Sequence, residues 1–524
     1  MVTVNIDGQD IQVEPGTNVL EAAERLGVIV PRYCYHPGLS VAGSCRMCAV
    51  EIEGMPKLQI SCHTQVRAGM KVSTDSAPVV RMRQAMLEFL LVNHPLDCPV
   101  CDQSGECDLQ NFYMEHGLHE SRVFEDKIKR KKAFPIGPHV MLDQERCILC
   151  TRCVRFCEEV SESHELGVLD RGDRSVIDLF PGRELDNNYS GNVIDICPVG
   201  ALTEREFRFQ CRVWYLSQEA SVCNGCSRGC NIAVHFNAQR SYKADGRRVQ
   251  RLKPRFNPLV NRWWMCDQGR FGYGFVDRDR IENPCLRVGG ELQPRAWDEV
   301  LEEVATALRA AVEKFGGEGL GVIASPQQSN EELYLVRKLF RELLGVARIP
   351  FRNPWEEESA ADGILLLEDR NPNGRGAADL GLRGDAERTL EDAAAGAVKI
   401  LYVFGHDFDS DPARELIRRA EYVVFQGANW NSTARMAHAV LPGATHMEKE
   451  GTFTNFEGRV QHFAEALPPL GESRPDLEIL CDLAQRLGHA LFYPEPEDLF
   501  SEWRGKSYRD LGEFGEVLGP GGAG

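Results

Sequence analysis

Nineteen cysteines in 524 residues constrain this chain more than anything else in it, because seventeen of them lie between Cys34 and Cys266. Only Cys285 and Cys481 fall beyond that point. Clustered cysteines without an export signal read as metal ligands before they read as disulfides. The opening MVTVNIDGQDIQVEPG has neither a charged n-region nor an apolar h-region, so no signal peptide is expected and a reducing compartment follows. The chain therefore divides into a metal-rich half and a metal-poor half.

The cysteines fall into four sets. The first is Cys34, Cys45, Cys48 and Cys62. It follows two strand-like stretches, VTVNI and QDIQV, joined at Asp7-Gly8, and a helix signal in which Asn18 caps, Glu21 answers and Gly27 terminates. Hairpin, helix and cysteine-rich loop is the order of a β-grasp ferredoxin. One C-x-x-C pair with two outlying cysteines suits a 2Fe–2S cluster, with a four-thiolate zinc site as the alternative. The second set is Cys98, Cys101 and Cys107, one ligand short of four. Spacing leaves His94, Asp97, His116 and water all open as the fourth. The third is Cys147, Cys150 and Cys153 with Cys197-Pro198 remote. Cys157 completes the run C-x2-C-x2-C-x3-C, whose last cysteine normally serves a second cluster. The partner positions here hold Asn187, Ser190 and Val193, so one cubane is expected and Cys157 is left as a buried thiol. The fourth is Cys223, Cys226, Cys230 and Cys266, a cubane pattern with a zinc ribbon as the alternative. Cys157, Cys211, Cys285 and Cys481 remain over, each read as a small buried hydrophobe.

Other features bound the function. The net charge of −18 argues against nucleic-acid binding, and no run of 18 apolar residues exists to span a membrane. No G-x-G-x-x-G opens a helix after a strand, so a dinucleotide site is not expected. The run DKIKRKK, from Asp126 to Lys132, reads as a solvated linker, with an acidic partner surface as the other reading. Beyond about Arg280 short apolar strands such as AVKILYVFG alternate with helical patterns such as AWDEVLEEVATALRAAVEKFGG, which predicts a mainly parallel, doubly wound α/β sheet.

SCRMCAVEIEG, NHPLDCPVCDQSGECDLQN, CILCTRCVRFCEEV, DICPVGALT, WMCDQGRFGYGF and LPGATHMEKEGTFTNFEGRVQ together resemble the G-subunit family of the NADH–quinone oxidoreductases, respiratory complex I. The resemblance covers nearly the whole chain. It implies that His94 is an iron ligand, and that the chain carries one 2Fe–2S and three 4Fe–4S clusters on the sixteen residues Cys34, Cys45, Cys48, Cys62, His94, Cys98, Cys101, Cys107, Cys147, Cys150, Cys153, Cys197, Cys223, Cys226, Cys230 and Cys266. It implies an electron wire with no catalytic residue of its own, fed by a flavoprotein (NADH/FMN) subunit and drained by quinone-side iron–sulfur subunits. Such a chain sits peripherally on the cytoplasmic side of the inner membrane, inserted in it nowhere.

Glu450–Gln461 looks like a pterin-binding signature, yet no cysteine lies between Cys285 and Cys481 to hold molybdenum, so no molybdopterin is expected. An NAD-linked formate dehydrogenase or hydrogenase subunit is the alternative function. The expected domains are a 2Fe–2S ferredoxin over 1–79, a His/Cys cubane domain over 80–120 and a ferredoxin-like cubane domain over 138–215. A molybdopterin-oxidoreductase-type cubane domain over 216–275 and a degenerate α/β domain over 276–514 follow, with a disordered tail over 515–524.

Overall fold

The computed structural model describes residues 1–237, 242, 244–351 and 360–519, in two compact units, Met1–Tyr215 and Leu216–Gly524.

The first unit opens with β1 (Val2–Ile6) and β2 (Gln9–Val13), a hairpin turned at Asp7 and Gly8, both with positive φ. Helix α1 (Val19–Arg25) begins where the Asn18 side chain accepts from the Glu21 N–H, and it stops just before Gly27 at φ 76°. With β3 (Ala49–Ile52), β4 (Gln59–Ile60) and β5 (Lys71–Ser73) the strands form one mixed sheet in the order β2-β1-β5-β3-β4. Val19, Leu20, Ala22 and Ala23 of α1 pack on Val4, Ile6, Val50, Ile52 and Val72, and Cys48 and Cys62 belong to the same core. The amphipathic run then gives α2 (Ala77–Leu91), which ends before His94, and α3 (Asp108–His116) follows the second cysteine set. Next come β6 (Phe134–Pro135), β7 (Val140–Leu142), α4 (Arg152–Glu159), β8 (Leu166–Leu169), β9 (Val176–Leu179), α5 (Asn192–Asp195) and β10 (Leu202–Glu204). They form a three-stranded sheet β10-β7-β6 and a β8-β9 hairpin.

The stretch 126–132 is a mostly exposed linker without regular secondary structure, as expected, tied down at three points. Lys127 Nζ donates to the Leu91 and Val92 carbonyls, capping the orphan C-terminus of α2, and Arg130 donates to the Asp173 and Ser175 carbonyls. Lys132 bridges Asp97 and Glu145. These three cations serve a helix end, two carbonyls and two carboxylates of the unit, while Asp126, Lys129 and Lys131 stay exposed.

The second unit starts with β11 (Ser217–Val222), β12 (Asn231–Phe236) and β13 (Val249–Pro254), an antiparallel sheet, then α6 (Asp267–Phe271). The large sheet is built from β14 (Cys285–Val288), β15 (Glu291–Pro294), α7 (Trp297–Phe315), β16 (Leu320–Ile323), α8 (Asn330–Val336), α9 (Gly374–Asp379), α10 (Ala386–Ala394), β17 (Ile400–Phe404), α11 (Asp411–Arg419), β18 (Tyr422–Gly427), α12 (Ser432–Met436) and β19 (Ala439–Pro442). Its order is β15-β14-β19-β18-β17-β16, with β16 to β19 parallel and β14 antiparallel to β19.

The sheet corrects the doubly wound expectation. Its four parallel strands follow one another in a single direction, without the reversal that defines double winding. The helices α10, α11 and α12 pack against Leu401, Val403, Val423 and Phe425 on one face. The other face is covered by helices from outside or at the start of the winding: α7, α8, and two later ones, α13 (Asp476–Arg486) and α14 (Pro496–Arg504), which meet Leu320, Val322, Tyr402, Phe404 and Val424. Between β19 and α13 lies the antiparallel pair β20 (Gly451–Thr454) and β21 (Arg459–Phe463). The last strand, β22 (Glu516–Val517), pairs with β21, so order continues past residue 514. The rest of the expected disordered tail, 520–524, lies outside the described residues.

Candidate metal centres

The four cysteine sets sit mostly on loops at the ends of these elements, with Cys153 in the first turn of α4. At the first, Cys34, Cys48 and Cys62 are buried and Cys45 partly so. Cys34 and Cys45 share one hydrogen bond, which pulls the Cys34 thiol down to about 5 and pushes Cys45 up. Cys62 and Cys48 do the same, with Cys48 drawn down to about 6. Cys62 feels the charge of the other three, so the four sulfurs face one another. The loop between them needs backbone without a side chain: at Gly43, with φ 62°, a Cβ would stand 2.9 Å from Ile60 Cδ1.

At the second set the alternatives separate. Asp97 is taken by Arg146 and Lys132 at 2.7 and 2.8 Å, which hold its carboxyl down at about 2 against the opposing effect of burial. His116 lies 3.5 Å from Glu115 and stacks on Phe112. His94 lines the same cavity as Cys98 and Cys107, and its buried Nδ1 has no hydrogen-bond partner. Burial lowers its pKa to about 4, which keeps the imidazole neutral and its lone pair free, the form that binds metal. Cys101 is buried against Gly200, where a Cβ would meet its Sγ at 2.3 Å.

Cys147, Cys150, Cys153 and Cys197 line one small cavity, and Cys157 does not. Leu149 and Thr151 adopt positive φ, which turns the loop between the first three, and the Leu149 N–H donates to Cys147 Sγ at 3.4 Å. Cys157, in the last turn of α4, is fully buried near Glu165 and Ser163. The would-be second half serves structure: Asn187 donates to Glu165 and Ser163, and Val193 is core.

The fourth set repeats the pattern. Cys223, Cys226, Cys230 and Cys266 line one cavity. The Gly225 and Gly269 N–H groups donate to the sulfurs of Cys223 and Cys266, each at 3.4 Å, and a Cβ on Gly269 would come within 2.9 Å of Cys223 Sγ. Burial pushes Cys147, Cys197 and Cys223 up to about 12 and Cys266 to about 11. Thiols this buried ionise only beside a cation that neutralises them. Sulfurs around a shared cavity, glycine backbone pressed against them and N–H groups aimed at them fit an iron–sulfur core.

The segment Glu450–Gln461 does scaffold work. Thr452 donates from N and Oγ1 to Glu331, Thr454 donates from N to Asn373, and Gln461 donates to the Gly229 carbonyl and Asn231 beside Cys230. A cavity of about 360 Å³ opens at the carboxyl ends of β16 to β19, lined by Ser325, Gln328, Gln426, Asn429 and His446 among others, none of them cysteine. Cys285 and Cys481 are core residues of the large sheet.

Sequence reasoning missed Gly200 and Gly269, whose tightness shows only in three dimensions, and two buried arginines, Arg152 and Arg155, interleaved with the cysteines of α4.

Four family descriptions match the chain in order: a 2Fe-2S iron-sulfur cluster binding domain over 1–77, an NADH-ubiquinone oxidoreductase-G iron-sulfur binding region over 83–122, the ferredoxin-like domain of NADH-quinone oxidoreductase subunit 3 over 137–203, and molybdopterin oxidoreductase over 280–354 and 369–486. The NADH-ubiquinone oxidoreductase 78 kDa subunit of Candida albicans mitochondria is 31% identical across 95% of this chain and 84% of its own length. The chain belongs to this family, that of the G subunits of complex I.

The family's bacterial branch gives higher identity over a shorter span. The G subunit of NADH-quinone oxidoreductase from Streptomyces coelicolor is 41% identical over 69% of this chain, which is 42% of that protein. Among solved structures, a chain of an NAD+-reducing [NiFe]-hydrogenase in its H2-reduced state aligns with 40% of this chain and 91% of its own at 33% identity, with a TM-score of 0.37. No helix among the described residues is long and apolar enough to cross a membrane.

Proposed function

We propose that this chain is the iron–sulfur relay of an NADH–quinone oxidoreductase, holding one 2Fe–2S and three 4Fe–4S clusters on fifteen cysteines and one histidine. The observation that carries the reading is the division of buried cysteines into sets, two of which each enclose a single cavity with all four sulfurs on its wall. Bound clusters would supply one-electron transfer. The chain's residues do the rest: they fix each core in place, exclude water from it and donate N–H groups to its sulfurs, which tunes its potential.

The first set would hold the 2Fe–2S core on the mixed sheet, which we read as a β-grasp. His94, Cys98, Cys101 and Cys107 would hold the first cubane. A neutral imidazole replaces one thiolate there, which makes that site less negative and raises its potential against an all-cysteine site, other influences equal. The third and fourth sets would hold the other cubanes. We read the ferredoxin-type modules as lying in the first unit and the molybdopterin-oxidoreductase-type module in the second. We read the large sheet as a scaffold: the lining of its cavity offers amides, His446, Lys449, Asp476 and the hydroxyls of Ser325 and Thr445, but no thiolate.

With no dinucleotide fingerprint in the chain, electrons would enter from a flavoprotein subunit and leave to quinone-side iron–sulfur subunits. The assembled chain would lie peripherally on the cytoplasmic face of the membrane.

Anaerobic purification followed by iron and acid-labile sulfide assay, with EPR of the reduced protein, tests the proposal. About fourteen irons per chain are expected, from one binuclear and three cubane centres. His94→Ala should perturb one cubane signal and spare the other three centres. A colourless protein with bound zinc and no labile sulfide would overturn the reading, and four unchanged signals in the His94 variant would remove that residue from it.

A further inference from the structure

Helix α4 starts one residue after the loop of the third set and carries Cys153 in its first turn. Arg152 and Arg155 stand three positions apart, on one side of that helix. Both are buried, at 7% and 8% exposure. Neither forms an ion pair with a carboxylate among the described residues. A buried guanidinium left in this way is costly unless other negative charge or a full set of acceptors surrounds it.

The acceptors are specific. Arg155 Nη2 donates to the Cys34 carbonyl at 2.6 Å and to the Cys150 carbonyl at 3.3 Å. Its Nη1 donates to the Ser40 carbonyl and its Nε to Thr151 Oγ1 at 3.3 Å. Arg152 donates to the carbonyl of Tyr35 at 2.6 Å and to that of Ile196 at 3.0 Å. Tyr35 follows Cys34, and Ile196 precedes Cys197. Each arginine thus joins a loop of the first set to a loop of the third. A second tie runs beside them, where the Ser40 N–H donates to Glu159 at 2.8 Å and the Ser40 hydroxyl to the same carboxylate.

From this we infer that Arg155, seconded by Arg152, is a positioning residue that couples the first and third iron–sulfur sites, holding their ligand loops in one register and stabilising the reduced state of both. The inference rests on the ligand sets proposed above. Four thiolates around an iron–sulfur core leave each loaded site with net negative charge, and reduction adds one more. A fixed buried cation beside both favours that added electron at either. The transfer served moves one electron and no proton, one site being oxidised by one electron as the other is reduced.

The test is an EPR-monitored redox titration of the full holoprotein, with iron counted in each sample. Arg155→Met keeps most of the bulk and removes the charge. Both the binuclear signal and the third-set cubane should move to more negative midpoints, while the His94-type and fourth-set cubanes stay where they were. Arg155→Lys keeps the charge and loses the fork, so its two midpoints should fall between those of the parent and the Met variant. If Arg155→Met fails to load iron, the Lys variant carries the test, and both midpoints must move together and in the negative direction. A shift in only one centre, no shift in either, or a Lys variant displaced as far as the Met variant would overturn the coupling. An unsubstituted protein lacking either signal would instead defeat the ligand assignment, and the two failures are thereby told apart.

Discussion

The two units bury their polar groups for different ends. In Met1–Tyr215 the elements around the third cysteine set are short, α4 having eight residues and α5 four, and two of the buried arginines, Arg152 and Arg155, point at carbonyls of the cysteine loops, while a third, Arg146, pairs with Asp97. In Leu216–Gly524 two buried ion pairs, Lys449 with Glu332 at 2.7 Å and Arg280 with Glu448 at 2.7 Å, flank a sheet with apolar side chains on both faces. Three of the four cysteine sets lie in the first unit and only the fourth in the second, whose large sheet is organised around its own core. A domain whose loops converge on a metal gains its folding free energy from that metal, whereas a covered parallel sheet does not need one.

Iron removal should break the comparison open most widely. Chelation under reducing, anaerobic conditions, followed by hydrogen–deuterium exchange, should strip protection from residues 94–107 and 147–157 while β16 to β19 stay protected. Uniform loss across both units would show that the large sheet also depends on the clusters.

A core truncation in the sheet is the mirror image. Phe340 is fully buried and meets the rings of Tyr402 and Phe404 at 5.1 and 6.2 Å between centroids. Phe340→Ala should cost about 3–5 kcal/mol in denaturant melts of the second unit. The EPR signals of the first three sites should persist, and their loss would mean that the units unfold together.

Much of this contrast was legible beforehand. Cysteines separated by two or three residues fall close together, so local spacing groups them, and the remote Cys197, followed by Pro198, lines the same cavity as Cys147, Cys150 and Cys153. Strand order was not legible. Alternating strands and helices read the same whether the chain reverses or advances one way, and here the second helical layer is supplied in large part by segments outside the winding. The arginine contacts were invisible for a different reason: their acceptors are backbone carbonyls, which every residue carries. The basic stretch 126–132 is largely exposed, as a charge run suggests, but the helix end that Lys127 caps was not legible in it.

The pH response of the second unit sharpens its side of the comparison. Glu331 is buried and accepts from Thr452 N and Oγ1 at 2.9 and 2.7 Å, yet burial outweighs these bonds and lifts its pKa from 4.5 to about 7. The folded state keeps this proton after the unfolded chain has released it. Its contribution to stability is therefore complete below pH 4.5 and is lost as pH rises through about 7. The span is worth at most about 3 kcal/mol. Glu331→Gln should flatten the slope of the denaturation midpoint in that window, and an undiminished slope would assign it to another group.

The smallest effect belongs to the first unit and separates its metal-dependent loops from its ordinary core. Asn18 caps α1 through the Glu21 N–H at 2.9 Å, and its amide donates back to the Glu21 carboxylate at 2.9 Å. Losing such a cap costs about 1 kcal/mol. The helix packs on the sheet through the same core that includes Cys48 and Cys62, so the cost should appear as a lower melting midpoint of the first unit at unchanged iron content. If Asn18→Ala instead releases the binuclear centre, the cap acts on the ligand loop itself, and the line between apolar core and metal-held loop runs closer to the helix than the packing of Leu20 and Ala23 implies.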